Sequence, residues 1–210
     1  MIKKLFYKNK GFTLVELMVS LAIFAFMTAF LVAKYGTFNQ GILLTNLAYE
    51  VALTIRNAQS YGLNVKSRPV SESGSVITNY STDFGYPYGV HFATGAGNDT
   101  KMIFFVDIDR DGLYDSTTGI LEPISESLST YNIKRGSYIS AICVPPGNSN
   151  NCNNTIDILD VTFKRPDPNA IIKSSLGNQD HNRAEITIRS TDGGTRKVIV
   201  RRTGQISVEN

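Results

Sequence analysis

The sequence predicts an α+β fold: one long N-terminal helix packed on an antiparallel, β-rich globular head. Three observations carry this prediction. An unbroken apolar run from Phe12 to Ala33 leads into a stripe of apolar residues at helical spacing, which ends near Gly62. After Lys66 the chain changes to short β-branched and aromatic runs separated by Gly, Pro, Asn, Asp and Ser. No alternation of helix and strand follows, so a parallel α/β sheet is excluded.

The apolar run holds 22 residues and one charge, Glu16. A helix rises 1.5 Å per residue, so this length spans a hydrocarbon core of about 30 Å. Before it, Met1 to Gly11 carries Lys3, Lys4, Lys8 and Lys10 and no acid. The positive-inside rule therefore keeps those residues in the cytoplasm and sends the chain after about Lys34 outward. An ordinary secretory signal has a shorter apolar region and a small-residue cleavage site, which is absent here. A plain single-span anchor leaves Glu16 without a purpose, although an acid in lipid costs a few kcal/mol.

Beyond the apolar run, Leu44, Leu47, Ala48, Val51, Ile55 and Ala58 recur at spacings of three and four, with Glu50, Arg56 and Asn57 largely off the stripe. This predicts an amphipathic continuation of the helix whose apolar face lies under a sheet. Gly36 and Gly41 fall between the two halves, where each weakens a helix by about 1 kcal/mol relative to alanine, and continuity there stays open. The predicted strands are Gly89 to Ala93, Met102 to Asp107, Tyr138 to Val144, Ile156 to Lys164, Ala184 to Arg189, Arg196 to Arg202 and Gln205 to Val208. Glycine-containing segments, Thr94 to Asp99 and Ser190 to Gly194, predict hairpin loops between neighbours. The remaining length suffices for one β-rich domain. The expected organisation is thus 1–11 leader, 12–33 apolar helix, 34–63 amphipathic helix and 64–210 head.

KGFTLVELMVSLAIFA resembles the leader junction of type IV prepilins and type II secretion pseudopilins: a basic leader, glycine, phenylalanine, then glutamate at the fifth mature position. The resemblance implies cleavage after Gly11 by a prepilin peptidase and N-methylation of Phe12 by the same enzyme. Glu16 becomes the assembly residue, because in that family this glutamate meets the Phe amino group of a neighbouring subunit. Three further stretches resemble the FimT/GspH minor pilin and pseudopilin domain. They are NLAYEVALTIRNAQSYGLNV, YGVHF with FFVDIDRDGLYD, and the C-terminal GGTRKVIVRRTGQISVEN. The implied function is a structural minor subunit of a type IV pilus or secretion pseudopilus. It waits in the inner membrane as a single-pass protein, head outward, and then joins other pilins in a periplasmic or extracellular filament.

Removing the leader changes the charge argument. The formal charge is +3, from 21 basic and 18 acidic residues, and loss of the four leader lysines leaves 17 against 18. Bulk basicity is therefore no reason to expect nucleic acid. Some FimT-like minor pilins capture DNA with arginines in the C-terminal tail, and Arg196, Lys197, Arg201 and Arg202 are the dense basic group here. The associated G-R-x-R pattern is replaced by Gly204-Gln205-Ile206-Ser207. Strand parity also separates Arg196 and Arg202 from Lys197 and Arg201. DNA reception is the alternative function.

Asp107, Asp109, Asp111 and Asp115, with Gly112, match positions 1, 3, 5, 9 and 6 of a calcium loop. Position 12, a glutamate in such loops, is Thr118, and Glu122 comes four residues late. No cofactor is expected, with Ca2+ the alternative at this loop and an Asp/Gly-rich turn the simpler one. Cys143 and Cys152 flank VPPGNSNN in the part expected outside the cytoplasm, which predicts a disulfide. Closing a loop of about ten residues would contribute roughly 2.5 to 3 kcal/mol. No G-x-S-x-G, H-E-x-x-H or P-loop pattern occurs, and no enzyme is expected.

Overall fold

The computed structural model describes residues 11–64, 67–70, 79–95, 97–116, 125–145, 155–175 and 180–209. One helix, α1, runs from Leu14 to Leu63 as a continuous 50-residue element. Its residues divide between two compact units, Met1–Gln40 and Gly41–Asn210. The head unit thus begins inside the amphipathic stretch and takes 41–63 as its own helix.

Among the described residues twelve strands follow: β1 (Ser67–Val70), β2 (Asn79–Phe84), β3 (Tyr88–Ala93), β4 (Lys101–Val106), β5 (Ser127–Asn132), β6 (Tyr138–Cys143), β7 (Thr155–Ile156), β8 (Ile158–Lys164), β9 (Asp167–Ser174), β10 (Arg183–Arg189), β11 (Thr195–Arg201) and β12 (Ile206–Glu209). They make two five-stranded sheets, ordered β12-β11-β10-β6-β7 and β5-β4-β3-β8-β9, with β1 and β2 as a separate pair. Every pairing is antiparallel.

A single apolar core joins helix and sheets. Leu44, Ala48, Val51, Ile55 and Ala58 are buried, and they belong to the same cluster as residues from both sheets, among them Val90, Val161, Ile186 and Val198. Alternation along the strands produces this: Tyr88, Val90 and Phe92 on β3 and Leu159, Val161 and Phe163 on β8 all enter the core. Tyr61, at the end of the helix, sets its ring edge-on to Tyr88 at 5.6 Å and Phe104 at 5.4 Å.

The helix ends at Leu63, beside the predicted end near Gly62. A Cβ at Gly62 would come within 2.2 Å of the Phe163 carbonyl oxygen, so the glycine also serves close approach of α1 to β8.

The run Ile156 to Lys164, predicted as one strand, breaks at Asp157. Ile156 pairs with Ile142 in one sheet, and Ile158 pairs with Ala93 in the other. Thr94 N–H donates to the Asp157 carbonyl at 2.8 Å, so the chain changes sheets at that residue. Strands β1, β2, β5 and β9 were not predicted. β5 and β9 are edge strands, and their sequences, SLSTYN and DPNAIIKS, open with the polar and proline residues that edges tolerate.

Candidate functional site: the N-terminal junction and the acidic loop

At the N-terminus, Thr13 precedes the first helical residue, Leu14. Its Oγ1 accepts the Glu16 N–H at 3.2 Å, while a Glu16 carboxylate oxygen accepts from the Thr13 N–H at 3.3 Å and from the Thr13 hydroxyl at 3.2 Å. Thr-Leu-Val-Glu is therefore a reciprocal capping box, satisfying donors that the first helical turn leaves orphaned. Glu16 also places negative charge at the positive end of the helix dipole. The premise that Glu16 lacks a local partner in a plain anchor is corrected by this contact. The signal was present in the sequence as the T-x-x-E spacing.

Gly11 and Phe12 lie outside the helix and are exposed, Phe12 by 78%. A side chain at Gly11 would meet nothing within 4 Å. The helical residues Leu14 to Ala33 are long and apolar enough to cross a membrane, and their large hydrophobic side chains are exposed throughout. Such a face is insoluble by itself, so lipid or other protein must cover it.

The acidic loop follows β4. Asp107, at the strand's end, is buried, and its Oδ2 accepts the Gly112 N–H at 3.0 Å. Burial raises its pKa to about 7; the Gly112 and Arg110 N–H groups pull against that shift, and Asp109 and Asp111 add to it. Asp109 and Asp111 each accept the N–H two residues on, those of Asp111 and Leu113, at 3.2 and 2.7 Å. Gly112 supplies the turn with a φ of +82°. Lys173 reaches across from β9 and donates its Nζ to the Asp111 carbonyl.

The loop is closed by a residue outside the sequence pattern. Glu126 is fully buried, and its Oε1 and Oε2 accept the N–H groups of Ile108 at 2.7 Å and Asp115 at 2.9 Å. Burial raises its pKa to about 7, against those two N–H bonds and with support from the Asp107 and Asp109 charges. Carboxylate oxygens of Asp107, Asp109 and Glu126 lie within 4.8 Å of one another. Asp111 and Asp115 are not part of that group, although burial and the Asp109 and Asp111 charges raise the Asp115 pKa. Thr118 and Glu122 lie outside the described residues.

The basic residues of β11 do not converge. The Arg196 guanidinium donates to Thr45 on α1 at 3.3 Å and to the Thr195 carbonyl at 2.8 Å. Lys197 pairs with the buried Glu185 at 3.4 Å, and Arg202 lies 4.0 Å from Asp180. Arg201 ends the strand, bonded through its backbone to Gln205. The Thr203-Gly204 turn beyond is docked: Gln59 donates to the Gly204 carbonyl at 3.2 Å, and the Ala170 N–H donates to the Arg202 carbonyl at 2.7 Å. Cys143, at the end of β6, is buried and disulfide-bonded, and Cys152 lies outside the described residues.

Residues 7–32 match the family model for the prokaryotic N-terminal methylation motif. No curated protein and no solved structure matches the chain. The match spans the leader junction, the capping box and nearly all of the exposed apolar run, and it supports a type IV pilin-like protein whose N-terminus is of the kind that is processed and methylated.

Proposed function

We propose that this chain is a structural minor subunit, of FimT/GspH type, of a type IV pilus or type II secretion pseudopilus. The observation that carries the reading is the exposed apolar helix Leu14 to Ala33, nearly all of which lies within the methylation motif. A prepilin peptidase cuts after Gly11, and the new amino group of Phe12 is methylated. Accessibility of Gly11 and Phe12 suits an enzyme that must reach both backbone groups. The lysine-rich leader stays in the cytoplasm and the head lies on the other side of the inner membrane. On assembly, neighbouring subunits replace lipid around the helix, and Glu16 meets the Phe12 amino group of another copy. Outside the cytoplasm Cys143 pairs with Cys152, the one other cysteine in the chain.

Support for DNA reception would require a basic face, and Arg196, Lys197 and Arg202 each have their own intramolecular partner. The structural-subunit reading is therefore favoured.

Mass spectrometry of the membrane-extracted protein tests it. The expected mature chain begins at N-methylated Phe12. A chain that still begins at Met1 in cells containing a prepilin peptidase, or one cut elsewhere, overturns it.

A further inference from the structure

The acidic loop has a separate consequence, independent of whether the chain joins a filament. One carboxylate oxygen of the loop lacks a partner among the described residues. Asp107 is 1% exposed, its Oδ2 takes the Gly112 N–H, and its Oδ1 is buried with no described hydrogen-bond donor beside it. Leaving such an atom unpaired is costly, because folding has removed its water and returned nothing. Beside it, Glu126 is fully buried and satisfied by two backbone N–H groups, which supply no full positive charge. The ion pairs among the described residues lie elsewhere, at His91–Asp160, Arg183–Glu185, Lys197–Glu185 and Arg202–Asp180. Lys173, on β9, spends its ammonium on the Asp111 backbone carbonyl.

We propose that Asp107, Asp109 and Glu126 form a Ca2+ site. The spacing fits: their carboxylate oxygens lie within 4.8 Å of one another, and two oxygens sharing a Ca2+ at 2.3–2.6 Å lie at most about 5 Å apart. The donors fit too, being hard oxygens with no nitrogen or sulfur among them. A carboxylate oxygen holding one N–H keeps a second lone pair, so the backbone bonds of Asp107 and Glu126 orient the ligands without consuming them. Asp109 is exposed, which leaves that side open to the waters needed to reach six or more ligands. Asp111 and Asp115 shape the loop: the first caps Leu113, and the second offers its N–H to Glu126. Glu126 thus occupies the place that Thr118 leaves vacant in the sequence pattern, reached from the start of β5 rather than along the loop.

Bound here, the ion ties the loop's two ends to the end of β4. The full-length chain in detergent micelles, stripped with chelator, is titrated with CaCl2 by calorimetry and melted with and without the ion. The expected result is saturable binding of one ion per chain. The melting temperature should rise by about 5 °C at a calcium concentration near 100 Kd. Asp109→Asn, at an exposed position, should weaken binding by about tenfold, and Asp107→Asn should remove it. Absence of saturable heat together with an unchanged melting temperature overturns the proposal. So does wild-type affinity in Asp109→Asn, a result that stands even where Asp107→Asn fails to fold.

Discussion

Glu16 has two uses that a single substitution can separate. Within one chain it completes the capping box with Thr13, and in the proposed filament its charge faces a Phe12 amino group. Glutamine serves at the same position of a capping box but carries no charge. Glu16→Gln should therefore leave helix content unchanged by circular dichroism in detergent while lowering the amount of subunit in sheared filaments at least tenfold. Thr13→Ala should do the reverse, costing about 1 kcal/mol at the helix end and leaving incorporation nearly intact. Equal incorporation of Glu16→Gln and wild type would reduce the glutamate to a cap. The residue scale is also where sequence reasoning reached least far. The T-x-x-E spacing carried a capping signal that the sequence reading did not use, whereas Glu126 carried none as a partner of Asp107, because it lies 19 positions along the chain and only the fold returns it to the loop.

At the scale of elements, the helix was legible because a period of 3.6 repeats over several turns. Of the predicted stripe, Leu44, Ala48, Val51, Ile55 and Ala58 are buried and Leu47 is half-buried against the same core. The opposite side keeps Tyr49 and Leu53 exposed, by 61% and 57%. Ile55→Ala should cost the head about 3 kcal/mol, the usual result of emptying a filled core position. Leu53→Ala should stay within about 0.5 kcal/mol. Denaturant unfolding followed by fluorescence measures both, and equal losses would show that the buried face is misassigned. Strands were legible where two apolar faces or strict alternation marked them, as in β3, β8 and β10. The edge strands β5 and β9 lack that mark, since half of each environment is solvent. The break at Asp157 carries no local signal either, because both of its neighbours are isoleucines suited to any strand.

At the scale of the whole molecule, two properties read from the intact sequence change when the leader is removed. Net charge falls from +3 to about −1, by loss of four lysines. In the proposed topology the lysine-rich segment that holds the N-terminus on the cytoplasmic side also goes, and the apolar surface of the mature helix is what remains to hold it in lipid. That surface is exposed along Leu14 to Ala33, while the head unit has its own buried core, and the division suits a protein that exchanges lipid for neighbouring helices. The C-terminal basic strand fits the same picture. Arg196 bonds Thr45 of the helix, Lys197 pairs with Glu185 of β10, and Arg202 lies beside Asp180. In the proposed function, leader removal licenses assembly. Filaments sheared from cells expressing either the wild-type chain or Gly11→Val, with this subunit quantified in each, decide the matter. The mature subunit is expected in wild-type filaments and none from the variant, which stays in the membrane fraction; a leader-bearing Gly11→Val subunit in sheared filaments would show that assembly does not need leader removal.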